Sequence, residues 1–222
     1  AAAPLALRAE VAAAQDLPTV RWRLASSFPR TLDTIFGASE VFAATLADLT
    51  QGRFEVQVAP PGELASALGV LDAVADGEVE LAHTGSYYFT DRDPAFAFGS
   101  ALPFGLNARL QNAWLQAGGG NELLNEFYRT HGVVGLPCGN TGCQMGGWFA
   151  RPVESLADLA GLRMRIAGIA GRVMRDIGVE TRQLAGDEVF AALQAGSVDA
   201  AEWVGPYDDE KLGFHQIGRA HV

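Results

Sequence analysis

The sequence is poor in cysteine, histidine and basic residues, and it has no long apolar run. Only 2 cysteines and 4 histidines occur in 222 residues, and no further Cys or His lies near the cysteine pair to complete a zinc site. No apolar run approaches the roughly 18 residues that a membrane-spanning helix needs. The 26 acidic residues outnumber the 16 basic ones, and no basic run interleaves with aromatics, which argues against a nucleic-acid partner.

Catalytic signatures are missing as well. The sequence contains no Gly-x-Ser-x-Gly, His-Glu-x-x-His or phosphate-loop pattern, and His83 and His131 stand alone. What is present is a globular chain, 49% hydrophobic, long enough for one large domain or two of about 100 residues each. Binding is therefore better supported than catalysis.

The two cysteines flank a short polar loop. Cys138 and Cys143 enclose Gly-Asn-Thr-Gly, and export from the cytoplasm would permit a disulfide across this loop. Two unlinked buried thiols fit the sequence equally well, because spacing does not show whether the Cβ atoms approach bonding distance.

Both ends of the chain carry segments that we expect to lie outside the folded domain. Residues 1–19 are rich in Ala and Leu and include Ala12-Ala13-Ala14, which fits the end of a secretory signal peptide or a frayed terminus. Residues 217–222 resemble one reading frame of a common sequencing adapter, the alternative being an ordinary tail. If the adapter interpretation holds, the natural protein continues beyond Gln216.

Helical and strand-like patterns alternate along the chain, which is typical of an α/β fold with parallel strands. Strands are expected at residues 21–25, 54–58, 79–83, 133–137, 144–150, 162–166 and 198–203. Helices are expected at residues 31–50, 65–75, 121–128, 171–177 and 187–194. The series restarts after Val133, which predicts a first lobe at 20–138 and a second at 139–216.

The segment 200–209 has the layout of a ligand site. A carboxylate, Glu202, and a large aromatic, Trp203, lie where a predicted strand ends, and ligands of open α/β sheets bind at that position. Residues 71–82 resemble residues 190–201, either by chance or because two similar units deliver two aromatic loops to one cleft.

Two kinds of binding group accompany this layout. Arg163 and Arg165 lie on one face of a predicted strand, where Arg165 could hold a carboxylate or could be an ordinary surface residue. Oxygen ligands that suit Na⁺ or Ca²⁺ better than Zn²⁺ would come from Asn140, Gln144, Glu202 and the Trp203 carbonyl.

Six stretches together resemble the DctP-type extracytoplasmic solute receptors of TRAP transporters. They are Ser-Ser-Phe-Pro at 26–29, Gly-Ser-Tyr-Tyr at 85–88, Asn-Thr-Gly at 140–142, Gln-Met-Gly-Gly-Trp at 144–148, Asp-Leu-Ala-Gly-Leu-Arg-Met-Arg at 158–165, and Ala-Glu-Trp-Val-Gly-Pro-Tyr at 201–207. The resemblance runs from about Val20 to Gln216 and implies a two-lobed fold that closes around a small organic anion.

The resemblance also implies residue roles, in the branch that binds 2-oxo or 2-hydroxy acids such as pyruvate or lactate. The implied carboxylate-binding residue is Arg165, and the implied metal ligands are Gln144, Glu202 and the Trp203 carbonyl, with Na⁺ and Ca²⁺ both open. The other expected ligand contacts and pocket residues are Asn140, Tyr88, Gln144, Phe28, Tyr87 and Trp203.

Location, partners and length are implied in the same way. The receptor would be periplasmic, would bind a small carboxylate, and would deliver it to the membrane subunits of the transporter. Family chains are longer, so the second lobe and the helix that bridges the lobes would be incomplete here, and a homodimer through that helix stays open. Two other interpretations remain: a metal-dependent enzyme that uses Glu202 as base, and a sensor ectodomain of the same fold.

Overall fold

The computed structural model describes residues 18–100 and 102–221, which form two β-sheets surrounded by helices. The strands are β1 Val20–Ser26, β2 Phe54–Ala59, β3 Leu81–His83, β4 Gly147–Phe149, β5 Arg163–Arg165, β6 Glu180–Arg182, β7 Ala200–Ala201 and β8 Arg219–His221. The α-helices are α1 Phe36–Leu49, α2 Val70–Ala75, α3 Ala108–Ala117, α4 Gly120–Arg129, α5 Gly168–Asp176, α6 Gly186–Gln194 and α7 Pro206–Lys211. Short 3₁₀ helices lie at Ser86–Phe89, Pro94–Gly99, Leu156–Leu159 and Phe214–Gln216. None of the described helices is long and apolar enough to cross a membrane.

The first sheet is parallel, with strand order β2-β1-β3. Leu24 of the central strand pairs with Val58 on one side and with Leu81 on the other. Strand β1 is exposed over most of its first half and buried from Leu24 onward, because its carboxyl end enters the core. The loops after β1 and β3 therefore begin at the same buried edge.

The second sheet is mixed, with strand order β6-β5-β7-β4-β8. Strand β5 runs parallel to β6 and β7, and β4 runs antiparallel to β7 and β8. Gly147 has φ +136°, and a Cβ there would lie 2.8 Å from the Ala201 carbonyl oxygen. The close approach of β4 to β7 therefore requires glycine at this position.

Apolar packing joins the two sheets. One buried cluster contains Phe28 and Tyr88 from the first part of the chain together with Trp148, Ala201 and Trp203 from the second. A smaller cluster around Leu162, Met164 and Val179 lies within the second part. The two parts are thus packed against each other.

The predicted α/β fold is confirmed, and several elements differ from the predicted ones. The predicted strand at 133–137 is wrong, because this segment is irregular and joins no sheet. Two predicted helices begin late, at Phe36 and at Val70. The predicted strand at 198–203 shrinks to β7, because Glu202 and the residues after it leave the sheet.

Both expectations for the chain ends stay predictions. The expected signal segment lies outside the described residues except for positions 18 and 19. Residues 219–221 of the predicted adapter tail pair with β4, but a backbone ladder forms with almost any side chains, so the origin of the tail stays a prediction. The lobe boundary at 138/139 also stays a prediction.

Candidate functional site

Arg165 is the centre of the site. It ends strand β5 and is only 1% exposed, which rules out the surface arginine that the sequence left open. Its Nε donates to the Leu184 carbonyl oxygen at 3.1 Å, and its Nη1 donates to the Glu202 carbonyl oxygen at 2.5 Å. A third contact joins Nη1 to the Glu202 carboxylate at 3.4 Å. The guanidinium thus ties together the segments that follow β6 and β7.

One arm of this guanidinium has no partner. Nη2 of Arg165 is buried and makes no hydrogen bond to the described residues. A buried donor without an acceptor costs about 1–3 kcal/mol, and more when the group is charged. The free arm therefore identifies a place where an acceptor, above all an anionic one, would be stabilised.

Glu202 is the carboxylate of the site. Burial raises its pKa to about 7, Arg165 acting in the opposite direction and Asp209 in the same one. Among the described residues its ion-pair partner is Arg165, whose guanidinium also lies 4.5 Å from the Trp203 ring centroid. A carboxyl group with this pKa gains a full negative charge when a cation binds beside it.

Trp203 is buried, and its indole ring packs directly against Gly186. A Cβ on Gly186, at the start of α6, would lie 2.6 Å from Cη2 of the indole, so the ring rests directly on the helix. The indole Nε1 is buried without a hydrogen-bond partner. No hydrogen bond from the described residues reaches the Trp203 carbonyl oxygen, which leaves it available to a cation.

A second acidic side chain supports the loop that follows Trp203. Asp209, in α7, accepts hydrogen bonds from the Val204 and Gly205 amides at 3.0 Å each and from the Trp148 indole at 2.7 Å. Burial raises its pKa while these three donors lower it. Sequence patterns did not single out this residue, although it belongs to the acidic pair in the first turn of α7.

The first lobe contributes aromatic residues to the same place. Phe28 and Tyr88 are buried with ring centroids 6.3 Å apart, and Tyr87 packs against Tyr88 at 4.5 Å. Burial raises the pKa of the Tyr88 hydroxyl, and the nearby Arg165 charge lowers it. That hydroxyl, like the free arm of Arg165, is buried with no hydrogen-bond partner among the described residues. Tyr88 and Trp203 belong to one buried cluster, and the cleft expected between their two loops stays a prediction.

Hydrogen bonds between the lobes keep these groups together. Gln183 Nε2 donates to the Tyr88 carbonyl oxygen at 2.8 Å, and Arg172 Nη2 donates to the Thr90 carbonyl oxygen at 2.6 Å. These two contacts, which the sequence did not predict, lie beside the site.

A second set of contacts joins α7 to the loop before α1. Thr34 donates to Asp208, while Lys211 and the Tyr207 hydroxyl both contact Asp33. The Lys211 and Tyr207 contacts hold the pKa of Asp33 below its usual value. These contacts link α7 to the first part of the chain.

Two predicted ligand residues lie apart from this cluster. Asn140 is exposed and its side chain accepts from the Gly142 amide at 2.7 Å, while Gln144 is exposed and donates to Thr141 at 3.1 Å. The register of β4 with β7 continues beyond the strands, since the Met145 amide donates to the Val204 carbonyl oxygen at 3.1 Å. Gln144 is thus next to the loop that carries the Trp203 carbonyl, and its role stays a prediction.

The oxygen donors near this loop suit a hard cation. They are the Glu202 carboxylate, the free Trp203 carbonyl and the Gln144 amide. Gln144 precedes Met145, whose amide donates to the Val204 carbonyl oxygen. The described residues contain no group of three or more His, Cys, Asp or Glu side chains that could hold a metal ion. Cys138 and Cys143 are both unpaired and exposed, so the alternative of buried thiols is wrong.

Comparison with known proteins identifies the family. The family described as bacterial extracellular solute-binding protein, family 7 (DctP), matches residues 25–221. A monocarboxylate 2-oxoacid-binding periplasmic protein of Nostoc sp. strain PCC 7120 is 50% identical over 91% of this chain and 56% of its own length.

Two solved structures agree with this match. A TRAP transporter solute-binding protein of Bordetella bronchiseptica, a dimer with calcium and picolinate in its active site, superposes with TM-score 0.89 at 46% identity over 91% of this chain and 60% of its own. A TRAP periplasmic solute-binding protein of Pseudoalteromonas atlantica, with bound sodium and pyruvate, superposes with TM-score 0.87 at 38% identity. The match covers 92% of this chain and 62% of that protein. The chain thus spans less than two thirds of each of the three relatives. It belongs to the DctP family of bacterial extracellular solute-binding proteins, the solute-binding components of TRAP transporters.

Proposed function

We propose that this protein is a periplasmic receptor for a small 2-oxo or 2-hydroxy monocarboxylate, such as pyruvate or lactate, and delivers it to the membrane subunits of a TRAP transporter. Arg165 binds the carboxylate of the ligand. A bound Na⁺ or Ca²⁺, held by Glu202, the Trp203 carbonyl and Gln144, contacts the remaining ligand oxygens. Tyr88 and Asn140 donate hydrogen bonds, and Phe28, Tyr87 and Trp203 set the size of the pocket.

The observation that carries this proposal is the unpaired arm of Arg165. The residue is 1% exposed and two of its three nitrogens are satisfied by the protein, yet Nη2 is buried with no acceptor. The buried, unpartnered Tyr88 hydroxyl and Trp203 Nε1 accompany it. A carboxylate between the lobes would give these donors an acceptor and would favour closure.

The charges of the buried side chains favour a bound cation in the site. Glu202 is buried beside the Arg165 cation, and the nearby Asp209 carboxylate adds a second negative charge that raises the pKa of Glu202. A bound cation supplies positive charge for the ligand oxygens, and it offsets the carboxylate of Glu202, which would otherwise repel an anion. The relatives with bound calcium or sodium beside picolinate or pyruvate support this arrangement.

The test is a calorimetric titration of pyruvate, with and without a chelator, in wild type and in two variants of strand β5. Arg165→Lys keeps the charge but loses the planar fork, so affinity should fall by about tenfold or more. Arg163→Lys is the matched control, because Arg163 lies on the same strand but pairs with Asp199, and affinity should stay the same.

Each outcome decides one part of the proposal. Loss of binding in chelator indicates a divalent cation, whereas binding that needs sodium and ignores chelator indicates Na⁺. Equal affinities of the two lysine variants would show that Arg165 does not hold the carboxylate. No heat with pyruvate, lactate or longer 2-oxo acids would overturn the ligand class.

A further inference from the structure

We propose that Asp209 is a positioning residue for the cation, because it aims the Trp203 carbonyl at the cation without touching the ion. The inference rests on the proposed function and adds to it a residue that none of the expected ligand sets contains.

Both carboxylate oxygens of Asp209 are hydrogen-bonded within the protein. The residue is 1% exposed. Its Oδ1 accepts from the Val204 and Gly205 amides, and its Oδ2 accepts from the Trp148 indole. A carboxylate whose two oxygens already accept three hydrogen bonds, and that is closed off from solvent, is unsuited to be a cation ligand itself.

The planarity of the peptide bond determines where the Trp203 carbonyl points. The N–H and C=O groups of one trans peptide point in opposite directions, and the described chain contains no cis peptide bond. Because the Val204 N–H points at Asp209, the Trp203 C=O of the same peptide must point away from Asp209. That carbonyl accepts no hydrogen bond from the described residues, so the bond from the Val204 N–H to Asp209 is the hydrogen bond that orients this peptide.

The next peptide supports the same conclusion. The Gly205 N–H also points at Asp209, and the Val204 C=O of that peptide points the opposite way, where it accepts from the Met145 amide at 3.1 Å. One peptide is therefore held at both ends, and the other is held at one end and free at its carbonyl. The free carbonyl is the one that the proposed function assigns to the cation.

The Trp148 indole connects this loop to the sheet through Asp209. Trp148 lies in β4 and pairs with Ala201 of β7, so its bond to Asp209 fixes α7 against the strand that leads to Glu202. Glu202 and the Trp203 carbonyl are thereby held in one rigid frame, as preorganised cation ligands must be.

The test compares two carboxylate variants by titration with calcium chloride and with sodium chloride, each at saturating pyruvate. In Asp209→Asn the amide presents a donor either to Trp148 or to the loop amides, so at least one of the bonds is lost. Loss of such an outer contact typically costs about 10- to 100-fold in cation affinity. Asp199→Asn is the control: Asp199 also accepts three hydrogen bonds, all from Arg163, so the melting temperature should fall while cation affinity stays.

A second readout needs no cation. In the ligand-free protein, the Val204 and Gly205 amide hydrogens should exchange with solvent faster in Asp209→Asn than in the control. If Asp209→Asn does not melt cooperatively, Trp148→Phe replaces it, because it removes the indole donor and keeps an aromatic ring and the Asp209 carboxylate. It should lose cation affinity several-fold, and an affinity within about twofold of wild type would overturn the proposal.

The outcomes separate this inference from the function on which it rests. Wild-type protein that binds neither cation overturns both. Wild-type protein that binds a cation, with Asp209→Asn binding it equally well, overturns only the positioning role.

Discussion

Replacing Gly186 by alanine tests how closely Trp203 is held. Gly186 begins α6, and a Cβ there would lie 2.6 Å from Cη2 and 2.8 Å from Cζ2 of the indole. Carbon atoms prefer separations of about 3.5–4.0 Å, so the ring must move by about 1 Å. Since the same ring lies over the Arg165 guanidinium, the displacement should reach the ligand site.

The magnitude can be isolated with a second glycine. Gly37, in the first turn of α1, has no atom within 4 Å of its potential Cβ. Glycine to alanine in a helix gains up to about 1 kcal/mol in either place, whereas overpacking costs about 1–3 kcal/mol only at Gly186. The free energies of unfolding of the two variants should therefore differ by about 1–3 kcal/mol, with Gly37→Ala the more stable.

Urea unfolding measures this difference, near-ultraviolet circular dichroism reports the indole environment, and a pyruvate titration reports the site. We expect Gly186→Ala to change the dichroism and to weaken pyruvate binding, and Gly37→Ala to change neither. Equal unfolding free energies, together with unchanged pyruvate affinity in Gly186→Ala, would refute the close packing of Trp203 on α6.

Two further predictions concern pH and closure. Burial lowers the pKa of His83 from 6.5 to about 4, so the unfolded chain binds more protons between these values. His83 should therefore reduce stability as pH falls through this range, by at most about 3 kcal/mol. The free energy of unfolding of His83→Gln, measured with urea, should depend less on pH than that of the wild type. An equal pH dependence of the two proteins would contradict this. Lys211→Met should weaken pyruvate binding a few-fold by removing the contact with Asp33 between the lobes, and less so at high potassium chloride. Arg92→Met, whose pair with Asp72 lies within the first lobe, is the control, and an equal effect of both variants would contradict a closure role.

Local patterns predicted the helices and strands better than they predicted the site. Alternation at residues 54–58 and the glycine after residues 187–194 led to β2 and α6 within a few residues. The strand expected at 198–203 was too long, because apolar residues continue past the point where the backbone leaves the sheet. Periodicity records which side chains are buried, and it does not record where ladder hydrogen bonds stop.

The site shows the same limit more clearly. The spacing of Arg163 and Arg165 placed both on one strand face, but only tertiary structure distinguishes the buried arginine from the one paired with Asp199. Asp209 and Gln183 carried no sequence signal, because most of their partners are main-chain groups and several lie far away in the sequence. Contacts between distant backbone groups are set by how the lobes meet, and no local pattern encodes that.

The two neighbouring carboxylates of α7 have a consequence for engineering. Successive residues of an α-helix point about 100° apart, which is why Asp208 reaches Thr34 in the first lobe while Asp209 reaches the loop of its own lobe. Inserting or deleting one residue between Trp203 and Asp208 would turn both carboxylates away from their partners together. Efforts to change the proposed ligand should therefore exchange residues 202–209 as one block, or vary the aromatic residues of the first lobe instead.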